Sequence, residues 1–492
     1  MNVAVIQGMR QGTVLYHCHD GFYYYFNNGK SYEFDGGNAT SINLRCKNWT
    51  SQWCHGTARI LIYNGRIQWT NLLEHTCPAD EDFHLVRQLR GEIIQESVNL
   101  DGPFETPAEV LNRVRERFDV DVAARITNSA MRSIISRARG GLYPNIPGSL
   151  EELGNLLNDN PHLSATQDEG DNFFAGMVRG RGPGTISLVF FSERMRQYLA
   201  RTRVVSCDGT FKSRPILPNS AQLLQIVGVI DYHATPLVQV LMTGKSEEEY
   251  VAVLRFLQQR VPRFRPRIVI TDFEAAMQNA WREVYRCPVC GCYWHHCRAV
   301  TLKTRHLGLT GLLREDRICR SIARSLLAVP LLPKRYMERG VRVLIAEAHR
   351  EGRLDQLNAL FDYYTDTWFS ASAFESLSVY RAEHRTNNCA ETANKMFGSK
   401  TGANRPGVYR FLSALRKYER EAFTTQRTLD AGLPINRPRT VQAMNNDIMI
   451  MNYTNQLRQG RISIRTFLHR ASTRVMNVYN FFLEPVRQAG AQ

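Results

Sequence analysis

The chain has 492 residues, 43% hydrophobic and 22% charged. That excludes a disordered protein and leaves ample material for the cores of roughly two to four domains. A net charge of +16, with a pI of about 9.5, favours a polyanionic partner, because each Lys or Arg facing a phosphate releases condensed counterions. No apolar run reaches the roughly 18–20 residues of a membrane span, and the opening "MNVAVIQGMRQG" lacks a signal-peptide pattern. The expectation is an intracellular, nuclear protein without a membrane, its 11 cysteines serving as reduced thiols or metal ligands.

Residues 1–82 are rich in Tyr, Trp, Asn and Gly. "GFYYYF", "SYEF", "TARILIYNG" and "RIQWTNL" read as short strands, separated by turns at Asn27-Asn28-Gly29 and Gly36-Gly37. A β module this small needs a staple. Cys46, Cys54, His75 and Cys77, spaced C-x7-C-x20-H-x-C, offer four N/S ligands that could close a tetrahedral zinc site. His17, Cys18, His19 and His55 are competing ligands, and unrelated reduced cysteines are the alternative. "LRCKNWTSQWCHGTARI" followed by "EHTCPAD" resembles a FLYWCH-type zinc finger, which implies Zn²⁺ and DNA binding for this segment. Lys47 and Arg59 are its candidate phosphate contacts; Trp49 and Trp53 stack or pack, with Trp53 read as structural.

Residues 83–184 read as a helical region with a linker. "PAEVLNRVRERF" and "NSAMRSIISRARGG" carry helical periodicity, with Pro107 at a start and Gly140-Gly141 at a stop. Arg132, Arg137 and Arg139 on the second helix could add DNA contacts, although generic helical pairs are commoner than DNA-binding ones. "GRGPG", Gly180 to Gly184, marks a turn or linker.

Residues 185–300 alternate. "RVVSCDGTF", "LLQIVGVIDYH" and "TPLVQVLMTG" read as strands. "SEEEYVAVLRFLQQRV" is a helix capped by Ser246, and "RIVITDFEAAMQNAWREVY" a buried strand running into a helix. Residues 301–380 read as a helical insertion, 381–425 as the remainder of the α/β domain, and 426–492 as a basic helical region. Roughly +9 of the net charge lies between Thr401 and Gln492, where Arg458, Arg461, Arg465, Arg470 and Arg474 either track phosphates or form a solvated face.

Asp208 sits near the end of the first of these strands, and Asp272 at the end of the strand "RIVIT". Such strand ends can converge at one sheet edge. Glu391, in "RTNNCAETANKMF", would arrive from a packed helix. Three converging carboxylates repel one another unless hard cations fill the gap, and a Mg²⁺ pair suits phosphodiester displacement. The alternative for each Asp is a turn or helix cap. Asn387, Asn388, Asn394 and Lys395 border the face of Glu391, as carboxylate supports, DNA contacts or helix caps.

"CDGTF", "TDFEAAMQNA" and "TNNCAETANKMF", in that order and followed by "NRPGVYRFLSALRKYE", resemble the Mutator-like element (MULE) transposase domain, a DDE transposase with an RNase H-like fold. The resemblance implies that Asp208, Asp272 and Glu391 bind Mg²⁺ (or Mn²⁺) and cut and join double-stranded DNA at transposon terminal inverted repeats and target sites. A homodimer or larger assembly would bring two ends together. In "CGCYWHHC", Cys292 and His295 match the family's C-x-x-H. They are read as active-site support or, with Cys287, Cys290, His296 and Cys297, as a second zinc cluster, the alternative being small buried hydrophobes. Two further functional readings are a domesticated DNA-binding transcriptional regulator without catalysis and a nuclease without strand transfer.

Overall fold

Tyr- and Ile-rich segments near the N-terminus pair in sequence order into a six-stranded antiparallel meander: β1 (Ala4–Gln7), β2 (Val14–His17), β3 (Tyr23–Phe34), β4 (Gly37–Cys46), β5 (Thr57–Tyr63) and β6 (Arg66–Leu73). The computed structural model describes residues 4–7, 14–17, 21–34, 37–80, 82–98, 105–140, 144–168, 170–182, 184–230, 233–402, 404–433 and 441–475. The chain divides into two units, Met1–Tyr143 and Pro144–Gln492.

In the first unit, alternation along β5 turns Ala58 and Ile60 onto Tyr24 and Leu44, and these four form a buried cluster within the sheet. The turn expected at Asn27-Asn28-Gly29 is instead an irregularity inside β3. The register against β4 shifts between Phe26 and Asn28, and the strand then continues to Phe34. A bulge absorbs one extra residue without ending the pairing. The Gly36-Gly37 turn falls partly outside the described residues, which resume at Gly37. Four helices follow: α1 (Phe83–Val98), α2 (Pro107–Arg115), α3 (Val120–Ala124) and α4 (Asn128–Arg139). Thr106 and Glu109 form a capping box at the start of α2. Leu89, Ile93, Val110, Val114, Met131 and Ile135 make the core of this helical cluster. Arg139 is spent inside it, on the carbonyls of Ser97 and Glu105.

The second unit opens with α5 (Leu150–Asp159), β7 (Phe174–Arg179), β8 (Ile186–Phe190) and α6 (Arg196–Arg201). β9 (Val204–Thr210), β10 (Gln222–Ile230), β11 (His233–Met242), α7 (Glu247–Arg260), β12 (Ile268–Thr271), α8 (Ala275–Tyr285) and β13 (Val289–Gly291) then complete a seven-stranded sheet of order β13-β12-β9-β10-β11-β8-β7. β12 runs parallel to β9 and to β13; the other neighbours are antiparallel. "GRGPG" closes the β7–β8 hairpin, so residues 144–184 belong with this sheet rather than with the helical region expected at 83–184.

Helices cover both faces. Val205 and Cys207 of β9 pack with Leu254 and Leu257 of α7 and Trp281 of α8. The alternate residues face α15 (Asn388–Thr401) and α16 (Val408–Asp430), introduced by "TNN". Between the two halves come α9 (Tyr293–His306), α10 (Thr310–Glu315), α11 (Arg317–Leu326), α12 (Lys334–Arg350), α13 (Leu354–Trp368) and α14 (Ala371–Leu377). The C-terminal helices α17 (Val441–Arg458) and α18 (Ile464–Ser472) bury Ile450, Tyr453, Phe467 and Leu468 in the same helical core. Residues 441–475 of the basic C-terminal segment are therefore part of the helical cluster, and Arg465 pairs with the buried Glu347 at 2.7 Å. Among the described residues, no helix is long and apolar enough to cross a membrane.

One ion pair fastens α16 to the loop after β8. The Glu419 side chain, only 6% exposed, accepts Nε of Arg194 at 2.7 Å, a second guanidinium nitrogen and the Ser192 hydroxyl. Removing one partner of a buried pair leaves the other charge uncompensated. Glu419→Ala should therefore lower stability by about 3 kcal/mol, read as a shift in the urea midpoint of the second unit.

Candidate functional site

Two groups of potential metal ligands occur among the described residues. The first combines Cys46 at the end of β4, Cys54 in the following loop, and His75 and Cys77 beyond β6. Their ligand atoms lie within 4.8 Å of one another. Cys46 Sγ and Cys77 Sγ are 3.6 Å apart, and Cys54 Sγ is 3.4 Å from His75 Nδ1. Zn–S and Zn–N bonds of about 2.0–2.3 Å at tetrahedral angles separate ligands by about 3.4–3.8 Å, so the set is compatible with zinc. The surroundings orient the ligands. His75 Nε2 is 2.7 Å from the Tyr24 hydroxyl, its ring stacks on Phe22, and backbone N–H groups of Asn48 and Thr76 reach the sulfurs of Cys46 and Cys54. Burial and the neighbouring thiols push the Cys46 thiol up to about 12. At Cys54 burial acts the same way, but the N–H groups of Gly56, Cys77 and Thr76 outweigh it and bring the thiol down to about 5.

Sequence reasoning missed Gly56. A Cβ there would lie 2.4 Å from His75 Nδ1, so only glycine lets the backbone pass the ring. Among the competing ligands, His17 stacks on Tyr23 and His55 stands edge-on to Trp49, while Cys18 and His19 lie outside the described residues. Lys47, read as a phosphate contact, pairs with Asp80 at 2.7 Å and lies over the Phe83 ring, its side chain 9% exposed. Trp53 is not a packing residue: it is 78% exposed, with a backbone φ of 52°. Arg59 is exposed on β5, its Nε donating to Asn43.

The carboxylates meet in the second unit. β12 pairs in register with β9 from Ile268↔Val204 to Ile270↔Ser206, and two further steps bring Asp272 level with Asp208 on the same face. α15 lies on that face. Asn394, one turn after Glu391, donates from Nδ2 to Asp208 Oδ2 at 2.7 Å. The Asp208 carboxyl is pushed up to about 7, first by burial and then by the charges of Asp272 and Glu391. Asp272 Oδ1 and Glu391 Oε1 are buried and have no hydrogen-bond partner. Crowded oxygens of this kind fit a hard divalent cation.

Asn387 is the residue whose role the sequence least foretold. It precedes α15 but makes no side-chain cap. It is fully buried, accepting from the Ser206 hydroxyl and donating to the Cys207 carbonyl at 3.1 Å, so it has no atom left for DNA. Asn388 and Lys395 are exposed on α15, which also carries Glu391. "CGCYWHHC" does not form one cluster. His296 is fully buried against Tyr364, and burial holds its imidazole down to about 3. Cys287, Cys290 and Cys297 are buried among apolar side chains, with thiols pushed up by burial. Only Cys292 and His295 turn toward the acids, with His295 Nε2 3.7 Å from Glu391 Oε1.

The MULE transposase domain model matches residues 204–299. The match spans β9 to α9 and includes Asp208, Asp272, Cys292 and His295; it ends before Glu391. A search of curated proteins finds no match.

Stripping divalent metal with a strong chelator should lower the melting temperature of the β module. Gly56→Ala should weaken metal binding by the four-ligand cluster on the order of tenfold; dialysis against a metal-buffered chelator measures it. The acids have their own pH signature. Asp208 ionises near 3.9 in the unfolded chain and near 7 when folded, so between these values folding takes up a proton and stability falls as pH rises. In metal-free protein Asp208→Asn should be stabilising at pH 8, by about 2 kcal/mol, and the gain should vanish at pH 3.5.

Proposed function

We propose that the chain is a DNA transposase of the cut-and-paste type, with an RNase H-like catalytic core in which Asp208, Asp272 and Glu391 are the catalytic acids. The observation that carries this reading is the convergence of three carboxylates, unneutralised by any neighbouring side chain that forms an ion pair with Asp208 or Asp272 among the described residues, at the ends of adjacent strands in a stretch matching a MULE transposase domain. The oxygen donors suit Mg²⁺, with Mn²⁺ as a substitute. When bound, such ions would activate the attacking oxygen and stabilise the leaving one.

The chain's own residues supply the framework. The Asn394 amide and the Gly209 N–H hold the Asp208 carboxylate in place for the cation. Asn387 fixes the start of α15 on β9 and thereby sets the height of Glu391 above the sheet. Asn388 and Lys395, exposed on the same helix, would touch the phosphate backbone. In the reaction a water oxygen bonds to phosphorus as the bond to the 3′ oxygen breaks; the freed 3′-OH then bonds to a target phosphorus as that phosphorus loses its own 3′ oxygen, which leaves as a target 3′-OH. We further assign the Cys46–Cys77 cluster to Zn²⁺ in a FLYWCH-type module that binds terminal repeats, and the assembled protein to a nuclear homodimer or larger oligomer on DNA.

The test is divalent-dependent cleavage of DNA carrying the repeats that flank the coding sequence. Asp208→Asn, Asp272→Asn and Glu391→Gln should each reduce cleavage on the order of 10³-fold while DNA binding persists. Binding without cleavage in the unaltered protein would assign it to the DNA-binding regulators instead. Unimpaired cleavage by the variants would remove the acids from catalysis.

A further inference from the structure

The second group of ligands differs in kind from the three acids. Cys292 Sγ, a nitrogen of His295 and a carboxylate oxygen of Glu391 all lie within 4.8 Å of one another. The His295 Nε2 to Glu391 Oε1 distance of 3.7 Å is close to the separation of about 3.4 Å between N and O ligands on tetrahedral zinc. Small side-chain rotations would close the gap.

The position is built into the sheet. β12 and β13 pair in parallel through Thr271↔Gly291, and the Cys292 N–H continues that pairing onto the Thr271 carbonyl at 2.7 Å. Cys292 thus follows directly on the strand beside the one that ends at Asp272. Its sulfur is fully buried and accepts the Asn387 N–H at 3.2 Å. The same N–H to sulfur contact supports Cys46 and Cys54 in the N-terminal cluster, at 3.3 and 3.4 Å. His295 lies on the first turn of α9, facing Glu391, whose Oε1 has no hydrogen-bond partner.

A thiolate and an imidazole discriminate against Mg²⁺ and favour Zn²⁺. We propose that Cys292, His295 and Glu391 form a zinc site with three protein ligands and a fourth position open to solvent, and that zinc there withdraws Glu391 from the hard-ion centre. The binding half of this proposal stands by itself. The competition for Glu391 rests on the assignment of that residue to the catalytic acids.

Zinc stoichiometry of the full-length protein, by equilibrium dialysis and elemental analysis, tests it. Unaltered protein should hold two equivalents, one of them in the four-ligand N-terminal cluster. Cys292→Ser and His295→Asn should each hold one, and Asp208→Asn two. Cobalt loaded into the second site should give a sulfur-to-metal charge-transfer band that Cys292→Ser abolishes. Because His295 is partly exposed, its variant decides the matter if the buried Cys292→Ser does not fold. Equal zinc counts in unaltered protein and in His295→Asn would overturn the site. A protein that never cleaves DNA would refute the catalytic reading and leave these counts as they are. Where cleavage is observed, zinc should suppress it in the unaltered protein with half-inhibition tracking occupancy of the second equivalent, and full cleavage with that equivalent bound would overturn the competition.

Discussion

A single buried amide joins the parts of the carboxylate centre that lie farthest apart in sequence. Asn387 sits between β9 and the start of α15, its oxygen on the Ser206 hydroxyl and its nitrogen on the Cys207 carbonyl. Its backbone N–H goes to Cys292, beyond β13. Ser206 and Asp208 share one face of β9 because side chains alternate along a strand. A helix fastened at Ser206 therefore presents its next turns to Asp208, and Glu391 and Asn394 lie on those turns. The energetics favour a fixed geometry. A buried amide left without partners costs about 1–3 kcal/mol for each stranded group. Sliding α15 along the sheet would strand several at once.

Two other buried acids of the second unit are treated in the opposite way. Glu419 is gripped by Arg194, and Glu347 by Arg465 and His469. Each is an acid neutralised where it is buried. At the sheet edge Asp208 meets Asp272 and Glu391 instead, and its nearest support is a neutral amide. A fold able to supply cations to two buried acids, and forming no ion pair with Asp208 or Asp272 among the described residues, has left room for a mobile one. The cost is a local loss of stability that the apolar packing of Cys207, Leu257 and Trp281 beneath the same strand must offset.

Much of this was legible in the chain. The order from β9 to α8 follows from alternating β-branched runs and a capped amphipathic helix, and the strand-end positions of Asp208 and Asp272 follow with it. Spacing offered the four N-terminal ligands among competitors, His17, Cys18, His19 and His55, and folding brings the four together. What escaped was long-range. "FAGMVR" is too short and mixed to announce β7, and its pairing with β8 is what moves residues 144–184 into the second unit. Asn27-Asn28-Gly29 has turn composition, yet pairing on both sides makes it a bulge. Lys47 looks like a phosphate contact until Asp80, 33 residues later, claims it. Asn387 has the composition of a cap and the burial of a core residue. Such distinctions depend on which partner arrives from elsewhere in the chain, and local pattern carries no record of that.

Hard and soft ligands are segregated in this protein with one point of overlap. The N-terminal cluster is wholly sulfur and nitrogen, which matches a small β sheet that gains most from a structural ion. The acids at the ends of β9 and β12 are wholly oxygen. Cys292, at the end of the adjacent β13, brings sulfur to the edge of that oxygen site, and Glu391 is the residue both can reach. A carboxylate has two oxygens but one side-chain torsional state at a time. An ion that draws Glu391 toward Cys292 and His295 acts on the same coordinate that sets its distance to Asp208. The C-x-x-H segment and the three acids are thus best understood as one mechanical unit, in which the rotamer of Glu391 is the variable and the tie at Asn387 is the fixed point.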